Sequence, residues 1–291
     1  MSEPIIRLTP TDNPRRWVLP VRDDLCTGPV ERPFLFGGSG LAGCIAALRT
    51  ADPRPVIWTT VQYVAYARPG EMLAFDVIEV ARGRQTVQLQ VTGRVGDRVV
   101  VMAQGALGER PGQPFRQLTS AQPKRPPEAC PRAPHRGSGS RGVHANFEFR
   151  LIRGRYPTLD EPFDGPGDGR LSLWVRPRRN LTLDAPLIGI VADYVSEALS
   201  DANGRYVHAS SIDNTVRFGV IEPSEWLLCE IAIDALNSGV GHGQMRIYSQ
   251  AGLLMALAST SLIVRTPRSA AHATASSPAV GALVSSGETC R

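Results

Sequence analysis

Hydrophobic and polar positions along the chain form two stretches that repeat one another. In each, a short apolar segment with helical spacing is followed by four runs of β-forming residues. The helices are predicted in "FGGSGLAGCIAALRT" (36–50) and "LIGIVADYVSEAL" (187–199). Hairpin turns are predicted at Gly83 in the first stretch and at Gly239 with Gly241 in the second. The pattern predicts an α+β chain in which antiparallel strands wrap a buried helix, twice in tandem.

The two stretches are separated by a segment of different composition. Residues 110–142 are dominated by proline, glycine, serine and arginine and keep no hydrophobic period, which predicts an extended or disordered linker. Low complexity after residue 266 predicts a disordered tail over 267–291. The predicted domains are therefore 1–109 and 143–266. Since each half is short for a separate core, we expect them to pair into one continuous unit.

One polar residue interrupts the apolar pattern of the second helix. Asp193 lies among residues that recur at helical spacing on a buried face, far from the ends of the predicted helix. An unpaired buried carboxylate is costly, so such a group is neutralised, paired or kept for chemistry. From the pattern alone, pairing with an arginine across an interface explains Asp193 as well as catalysis does.

Composition narrows the class of protein. With 42% hydrophobic and 20% charged residues in 291, the chain has the composition of a globular protein. It has no apolar run of the roughly 18 residues that span a bilayer, and its N-terminus lacks signal-peptide features. We expect a cytoplasmic protein with no membrane partner. The net charge of +5 comes almost wholly from arginine and suits an anionic ligand. Basic and aromatic residues do not interleave, which argues against nucleic acid as a partner.

The five cysteines are scattered, with no C-x-x-C pair and no neighbouring cluster of histidines. This spacing predicts neither a disulfide framework nor a metal site. Cys44 and Cys229 lie in apolar segments, so we expect both to be core thiols.

An ordered series of segments resembles a known family. "FGGSGLAGCIAAL", "VQYVAYARPGEMLAFDVIEVARGRQTV", "LIGIVADYVSEAL", "SSIDNTVRF" and "YSQAGLLMALASTSLIVR" resemble type II acyl-CoA thioesterases in matching order. The resemblance spans about residues 30–108 and 143–266. It implies a double hotdog, that is, two tandem helix-wrapped sheets in one chain. It also implies hydrolysis of an acyl-CoA or acyl-carrier thioester, with coenzyme A only as part of the substrate and no separate cofactor. Because hotdog sheets often continue across subunits, a homo-oligomer is compatible with it.

The resemblance also suggests an active site. The family's aspartate falls on Asp193, which would take a proton from the attacking water. Its hydroxyl residue falls on Ser211, which would orient that water. Its glutamine is absent, and Thr260 stands at that position with a shorter side chain.

Further residues are candidates for binding the substrate. The glycine-rich start of the first helix allows the backbone amides of Gly37, Gly38 and Ser39 to approach an oxyanion closely. Arg68 and Arg217 are candidates for the phosphates of coenzyme A.

The missing glutamine leaves two alternatives open. The first is a hotdog dehydratase or cyclase acting on a polyketide-like intermediate, in which Asp193 still moves a proton. The second is a non-catalytic module that binds an acyl ligand.

Overall fold

The structure is a computed structural model that describes residues 2–110, 112, 116–119, 121, 125–133, 141–155, 165–178 and 181–265. The predicted tail, 267–291, and parts of the predicted linker lie outside the described residues.

The first half contains one long helix followed by four strands, as predicted. Two short strand pairs come first: β1 (Thr9–Pro10) with β2 (Arg16–Pro20), and β3 (Cys26–Thr27) with β4 (Phe34–Leu35). Then follow α1 (Gly37–Ala51), β5 (Val56–Tyr63), β6 (Met72–Arg82), β7 (Thr86–Val95) and β8 (Arg98–Gly108).

The second half repeats this order with a different helical region. Its elements are β9 (Phe147–Arg153), β10 (Arg170–Pro177), α2 (Ala185–Val191), a 3₁₀ segment (Tyr194–Ala198), α3 (Leu199–Asn203), β11 (His208–Phe218), β12 (Leu227–Asn237), β13 (Val240–Ser249) and β14 (Leu254–Arg265). Further 3₁₀ turns cover Asp23–Leu25, Pro127–Ala129 and Val143–Asn146. The prediction of one helix over 187–199 is wrong, because the helical region is broken at Asp193.

Both halves contribute to one antiparallel sheet. The described residues form a 12-stranded sheet in the order β1-β2-β6-β7-β8-β5-β11-β14-β13-β12-β10-β9. The halves join where β5 pairs with β11, with Thr60 opposite Thr215 and Val61 opposite Asn214. At this junction the two threonine hydroxyls lie 2.9 Å apart. The expectation of one continuous unit is confirmed.

Irregularities in the two halves occur at matching positions. Thr60 and Thr215, which face each other at the junction, are 155 residues apart. The register shift at Ile57 in β5 has its counterpart 155 residues later, at Ile212 in β11. A second pair lies at Val80 in β6 and, 154 residues later, at Asp234 in β12. Because a bulge re-aims the side chains beside it, these matches allow the halves to be compared position by position.

The sheet buries the helices against its inner face. α1 packs against α2, and both contribute to one core in which Leu41, Ile45, Leu187 and Ile190 are fully buried. The helices approach closely at Gly189, where an added Cβ would lie 2.7 Å from Ile45. In β14, every second residue from Ala256 to Leu262 is buried, so this face of the strand points towards the helices.

Two smaller expectations concern a turn and the cysteines. The β12–β13 turn consists of Ser238 and Gly239, at φ 49° and 78°, whereas Gly241 lies inside β13 and was wrongly assigned to the turn. Cys44 and Cys229 are 0% and 1% exposed, which confirms them as core thiols.

The described part of the linker is bound to the second half. The Gln117 amide donates to the Gly252 carbonyl at 2.9 Å, and the Trp174 indole donates to the Arg125 carbonyl at 3.1 Å. Ala121 and Cys130 join Trp174 in a second, smaller apolar cluster. Within the described ranges, no helix has the length and apolar character needed to cross a membrane.

Candidate active site

Asp193 lies at the break in the second helical region. α2 ends at Val191, and Asp193 adopts φ −91° and ψ 4° immediately before the 3₁₀ segment. The side-chain amide of Asn214 donates to the Ala192 carbonyl at 3.2 Å. A continuing α-helix would need that carbonyl for its own backbone. Asp193 is therefore a junction residue and not, as predicted, a mid-helix residue.

Three donors surround the Asp193 carboxylate, which is only 3% exposed. The Ser211 hydroxyl donates to Oδ1 at 3.0 Å, and the Asn214 amide donates to the same oxygen at 3.1 Å. The backbone N–H of Gly38, in the first turn of α1, also donates to the carboxylate. The positive end of the α1 dipole thus meets the negative charge of a residue from the other half.

Burial dominates the acidity of this carboxylate. It raises the pKa of Asp193 to about 6, while the hydrogen bonds from Asn214, Ser211 and Gly38 act in the opposite direction. Among the salt bridges of the described residues, none involves Asp193. The alternative of an arginine partner therefore finds no support in that part of the chain.

A β-bulge brings Ser211 and Asn214 to the same face of β11. Residues three apart in a regular strand point to opposite faces. Here Ser211 pairs with Leu262 and Asp213 with Ser261, so Ile212 is the extra residue of the bulge. Ser211 and Asn214 consequently both face Asp193. The structure brings together Asp193 and Ser211, as the resemblance implied, and adds Asn214.

Gly37 and Gly38 lie against Asp193 itself. A Cβ built on Gly37 would lie 2.5 Å from Asp193 Oδ2, and one built on Gly38 would lie 2.6 Å from the Ile190 carbonyl oxygen. These glycines let the second half approach the helix, which is a different role from the predicted approach of a ligand. The amides of Ser39 and Gly40 donate to the Phe36 carbonyl. Since the Gly38 amide donates to Asp193, fewer amides than expected are available to an oxyanion.

Thr260 lies near the site but its hydroxyl is committed elsewhere. It is directly opposite Asn214 in the β11–β14 pair and is 4% exposed. Its hydroxyl donates to the Asp213 carbonyl at 2.6 Å. The family resemblance made Thr260 the counterpart of the glutamine, yet in the structure its hydroxyl donates to the backbone and not to Asp193.

Neither arginine named as a phosphate ligand joins this cluster. Arg68 is exposed in the loop after β5, where its backbone N–H donates to Glu71. Arg217 is exposed on β11, one residue after the buried Val216, and so projects from the outer face of the sheet. The thickness of the sheet separates Arg217 from Asp193. The contact of Arg68 and Arg217 with the phosphates of coenzyme A stays a prediction.

Two residues of the cluster escape sequence reasoning. Asn214 is visible as a polar residue in an apolar strand, but without the bulge its spacing from Ser211 puts it on the wrong face. Tyr63 comes from the other half: its hydroxyl is buried and without a partner among the described residues, and its ring lies beside Gly37. Only the β5–β11 pairing places Tyr63 near this site, and that pairing leaves no local signal.

A separate cavity of about 960 Å³ contains none of the predicted site residues. Arg132, Glu148, Arg176 and Glu225 line it, and Glu148 accepts ion pairs from Arg132 and Arg176. Among the described residues that line this cavity, none belongs to the cluster around Asp193.

Comparison with known proteins agrees with this architecture. Residues 127–264 match the acyl-CoA thioesterase C-terminal domain family. A candidate thioesterase from Novosphingobium aromaticivorans is 29% identical, with a TM-score of 0.78 over 89% of this chain and 98% of that one. The TesB protein of Mycobacterium avium subs paratuberculosis is 18% identical, with a TM-score of 0.73 over 89% and 96%. A protein of unknown function with a hot dog fold from Alicyclobacillus acidocaldarius is 21% identical, with a TM-score of 0.76 over 90% and 96%.

A more distant structural match is to a dehydratase, the class of enzyme named above as an alternative. The dehydratase domain of the CurJ module of curacin polyketide synthase is 11% identical, with a TM-score of 0.56 over 91% of this chain and 99% of that one. At that identity the likeness concerns the fold alone. No curated protein sequence matches the chain.

Proposed function

We propose that this chain, which is similar to type II acyl-CoA thioesterases, hydrolyses acyl thioesters of coenzyme A or of a carrier protein, with Asp193 as general base. The observation that carries this proposal is a buried carboxylate held by neutral donors, with a pKa raised to about 6. Such a group is ionised at neutral pH and is a stronger base than an ordinary aspartate.

In the proposed reaction, Asp193 removes a proton from water as the water oxygen bonds to the thioester carbon. Ser211 and Asn214 hold Oδ1, while Oδ2 lies towards Gly37 and accepts the proton. The carbonyl π electrons move to oxygen. When they return, the C–S bond breaks and Asp193 gives its proton to the leaving thiolate, which yields a carboxylic acid and a thiol. General-base catalysis of this kind contributes about 10²–10⁴ in rate.

Asn214 is a candidate for the water-positioning role that the absent glutamine would have. Both hydrogens of its amide are used, one by Asp193 and one by the Ala192 carbonyl. Its Oδ1 is buried and has no partner among the described residues. A buried acceptor in this position suits the second proton of the attacking water. The dehydratase alternative has no comparable support, since its likeness is one of fold alone.

The test is turnover of acyl-CoAs from short to long and aromatic chains, followed by mass spectrometry, in the parent and in Asp193→Asn. We expect hydrolysis in the parent, a loss of at least about 10²-fold in the variant, and a rate that rises with pH through about 6.

Asp184→Asn is the matched control. Asp184 caps the other end of α2 by accepting from the Leu187 amide at 3.0 Å, and burial raises its pKa as well. Asparagine also caps helices, so this variant should keep its activity. A parent that cleaves no acyl-CoA or carrier-bound thioester would contradict the proposal. So would an Asp193→Asn enzyme that retains full turnover.

A further inference from the structure

Tyr63 places an unused hydroxyl group next to the candidate base. It is the last residue of β5, and it follows the buried Thr59 and Val61 on the face that points to the helices. Its hydroxyl oxygen is buried and makes no hydrogen bond within the described part of the chain. Because burying an unpaired hydroxyl costs stability, a phenylalanine would be the simpler choice at this position.

The phenol and Asp193 Oδ2 converge on one point. A Cβ built on Gly37 would lie 2.5 Å from Asp193 Oδ2 and 3.2 Å from Tyr63 Cζ. These two atoms are therefore no more than 5.7 Å apart, the sum of the two distances. A reacting group that lies between the base and the phenol would contact both.

The equivalent position in the other half lacks the hydroxyl. Tyr63 lies three residues after Thr60, and Phe218 lies three residues after Thr215, its counterpart across the junction. Phe218 packs against the core. The chain thus carries a phenol in the half-site that faces an acid, and a plain phenyl ring at the equivalent position, where no acid aligns.

Part of the expected set of oxyanion donors is also committed to other acceptors. The Gly38 amide donates to Asp193, and the amides of Ser39 and Gly40 donate to Phe36. Burial, and to a lesser degree the charge of Asp193, raise the pKa of Tyr63 well above its usual range. The phenol therefore keeps its proton and remains a donor at all working pH values.

We propose that the Tyr63 hydroxyl donates a hydrogen bond to the thioester carbonyl oxygen and stabilises the negative charge that forms there when water adds. Tyr63 is then a catalytic residue that the first half contributes to the acid of the second. This inference rests on the proposed hydrolase function. A donor aimed at a developing oxyanion acts in the transition state more than in the bound substrate.

The test compares Tyr63→Phe with the parent. We expect kcat to fall about 10²-fold, as for other lost oxyanion donors, with KM nearly unchanged. Because the hydroxyl is unpaired in the free enzyme, the variant should be at least as stable as the parent towards heat. The midpoint of the acid limb of the rate profile should remain near 6.

Tyr66→Phe is the matched control, since Tyr66 lies in the following loop and its hydroxyl contacts Ser210 at 3.2 Å. It should turn over like the parent. An unchanged kcat in Tyr63→Phe would overturn the inference and leave the hydrolase proposal standing. A fall in kcat with the acid limb moved to higher pH would also overturn it, because the hydroxyl would then be a partner of the Asp193 carboxylate. A parent without turnover on any thioester would remove both proposals.

Discussion

The two halves of the molecule share their strands and bulges but differ at the positions that face the helix break. Counting 155 residues from each, as between Thr60 and Thr215, Val56 in the first half corresponds to Ser211 and Thr59 corresponds to Asn214. In the sequence repeat, the stretch of α1 that corresponds to the region of Asp193 offers Gly40, Leu41 and Ala42, none of which is acidic. In the first half, α1 is continuous over Gly37–Ala51, whereas the second helical region is broken.

This difference shows which groups each half contributes to the candidate site. The second half supplies the carboxylate, the hydroxyl and the amide, and the Asn214 amide donates to the Ala192 carbonyl where the helical region breaks. The first half carries Val56 and Thr59 at the positions equivalent to Ser211 and Asn214, and it supplies the N-terminus of an intact helix. The candidate site is therefore shared between the halves, and each of the following predictions alters one side of that division.

Gly38→Ala should lower both stability and activity, because it disturbs the contact between the halves. An added Cβ would lie 2.6 Å from the Ile190 carbonyl oxygen and 3.0 Å from Asp193 Cβ, and backbone cannot easily give way. We expect a loss of about 2–3 kcal/mol in the free energy of unfolding. A carboxylate displaced by even 1 Å would also lower kcat/KM by about 10²-fold. Urea denaturation and steady-state kinetics measure the two effects.

Gly40→Ala is the matched control in the same helix. Its Cβ would approach Val101 at 3.4 Å, an ordinary contact. Alanine is a better helix former than glycine by up to about 1 kcal/mol, so this variant should be as stable as the parent or more so. Equal losses in both variants would show that α1 tolerates no side chain near its start. The close approach of Asp193 would then not be the cause.

Much of this architecture could be predicted from the sequence, for local reasons. The strands, the repeat and the burial of the helices follow from hydrophobic period, and Asp193 was visible as a carboxylate on an apolar face. The helix break was not, because it depends on Asn214 taking the Ala192 carbonyl across the core. The bulge at Ile212 was hidden as well. The bulge places Ser211 and Asn214, which are three residues apart, on the same face of β11. No turn residue marks it in the sequence. Tyr63 became visible only through the pairing of β5 with β11.

The second prediction concerns Asp193→Asn. This substitution removes the carboxylate charge and so makes the second half more similar to the first. Burial raises the pKa of Asp193 from 3.8 to about 6. The folded state therefore binds the proton more tightly than the unfolded state does, and this group destabilises the parent as pH rises. The penalty is absent below about 4 and complete above about 6; a shift of this size is worth about 3 kcal/mol.

The variant should therefore gain stability relative to the parent between these pH values, while it loses activity. Urea denaturation of both proteins from about pH 4 to pH 8 gives the difference directly. A difference that does not change with pH would mean that the Asp193 carboxyl has an ordinary pKa. It would also remove the physical basis for its role as a strong base.

The smallest effect is expected from Ser211→Ala, compared with Ser210→Ala on the neighbouring position. Ser211 donates to Asp193 Oδ1 at 3.0 Å, whereas Ser210 accepts a hydrogen bond from Arg265 at 2.7 Å. Loss of the Ser211 donor leaves the ionised carboxylate less stabilised, so the pKa of Asp193 rises further. The acid limb of the rate profile should move to higher pH, with a fall in kcat of about tenfold. Ser210→Ala should leave the limb in place. If both variants move it equally, the bulge at Ile212 does not distinguish the two serines. The hydrogen bond from Ser211 to Asp193 would then not explain the difference between the two halves.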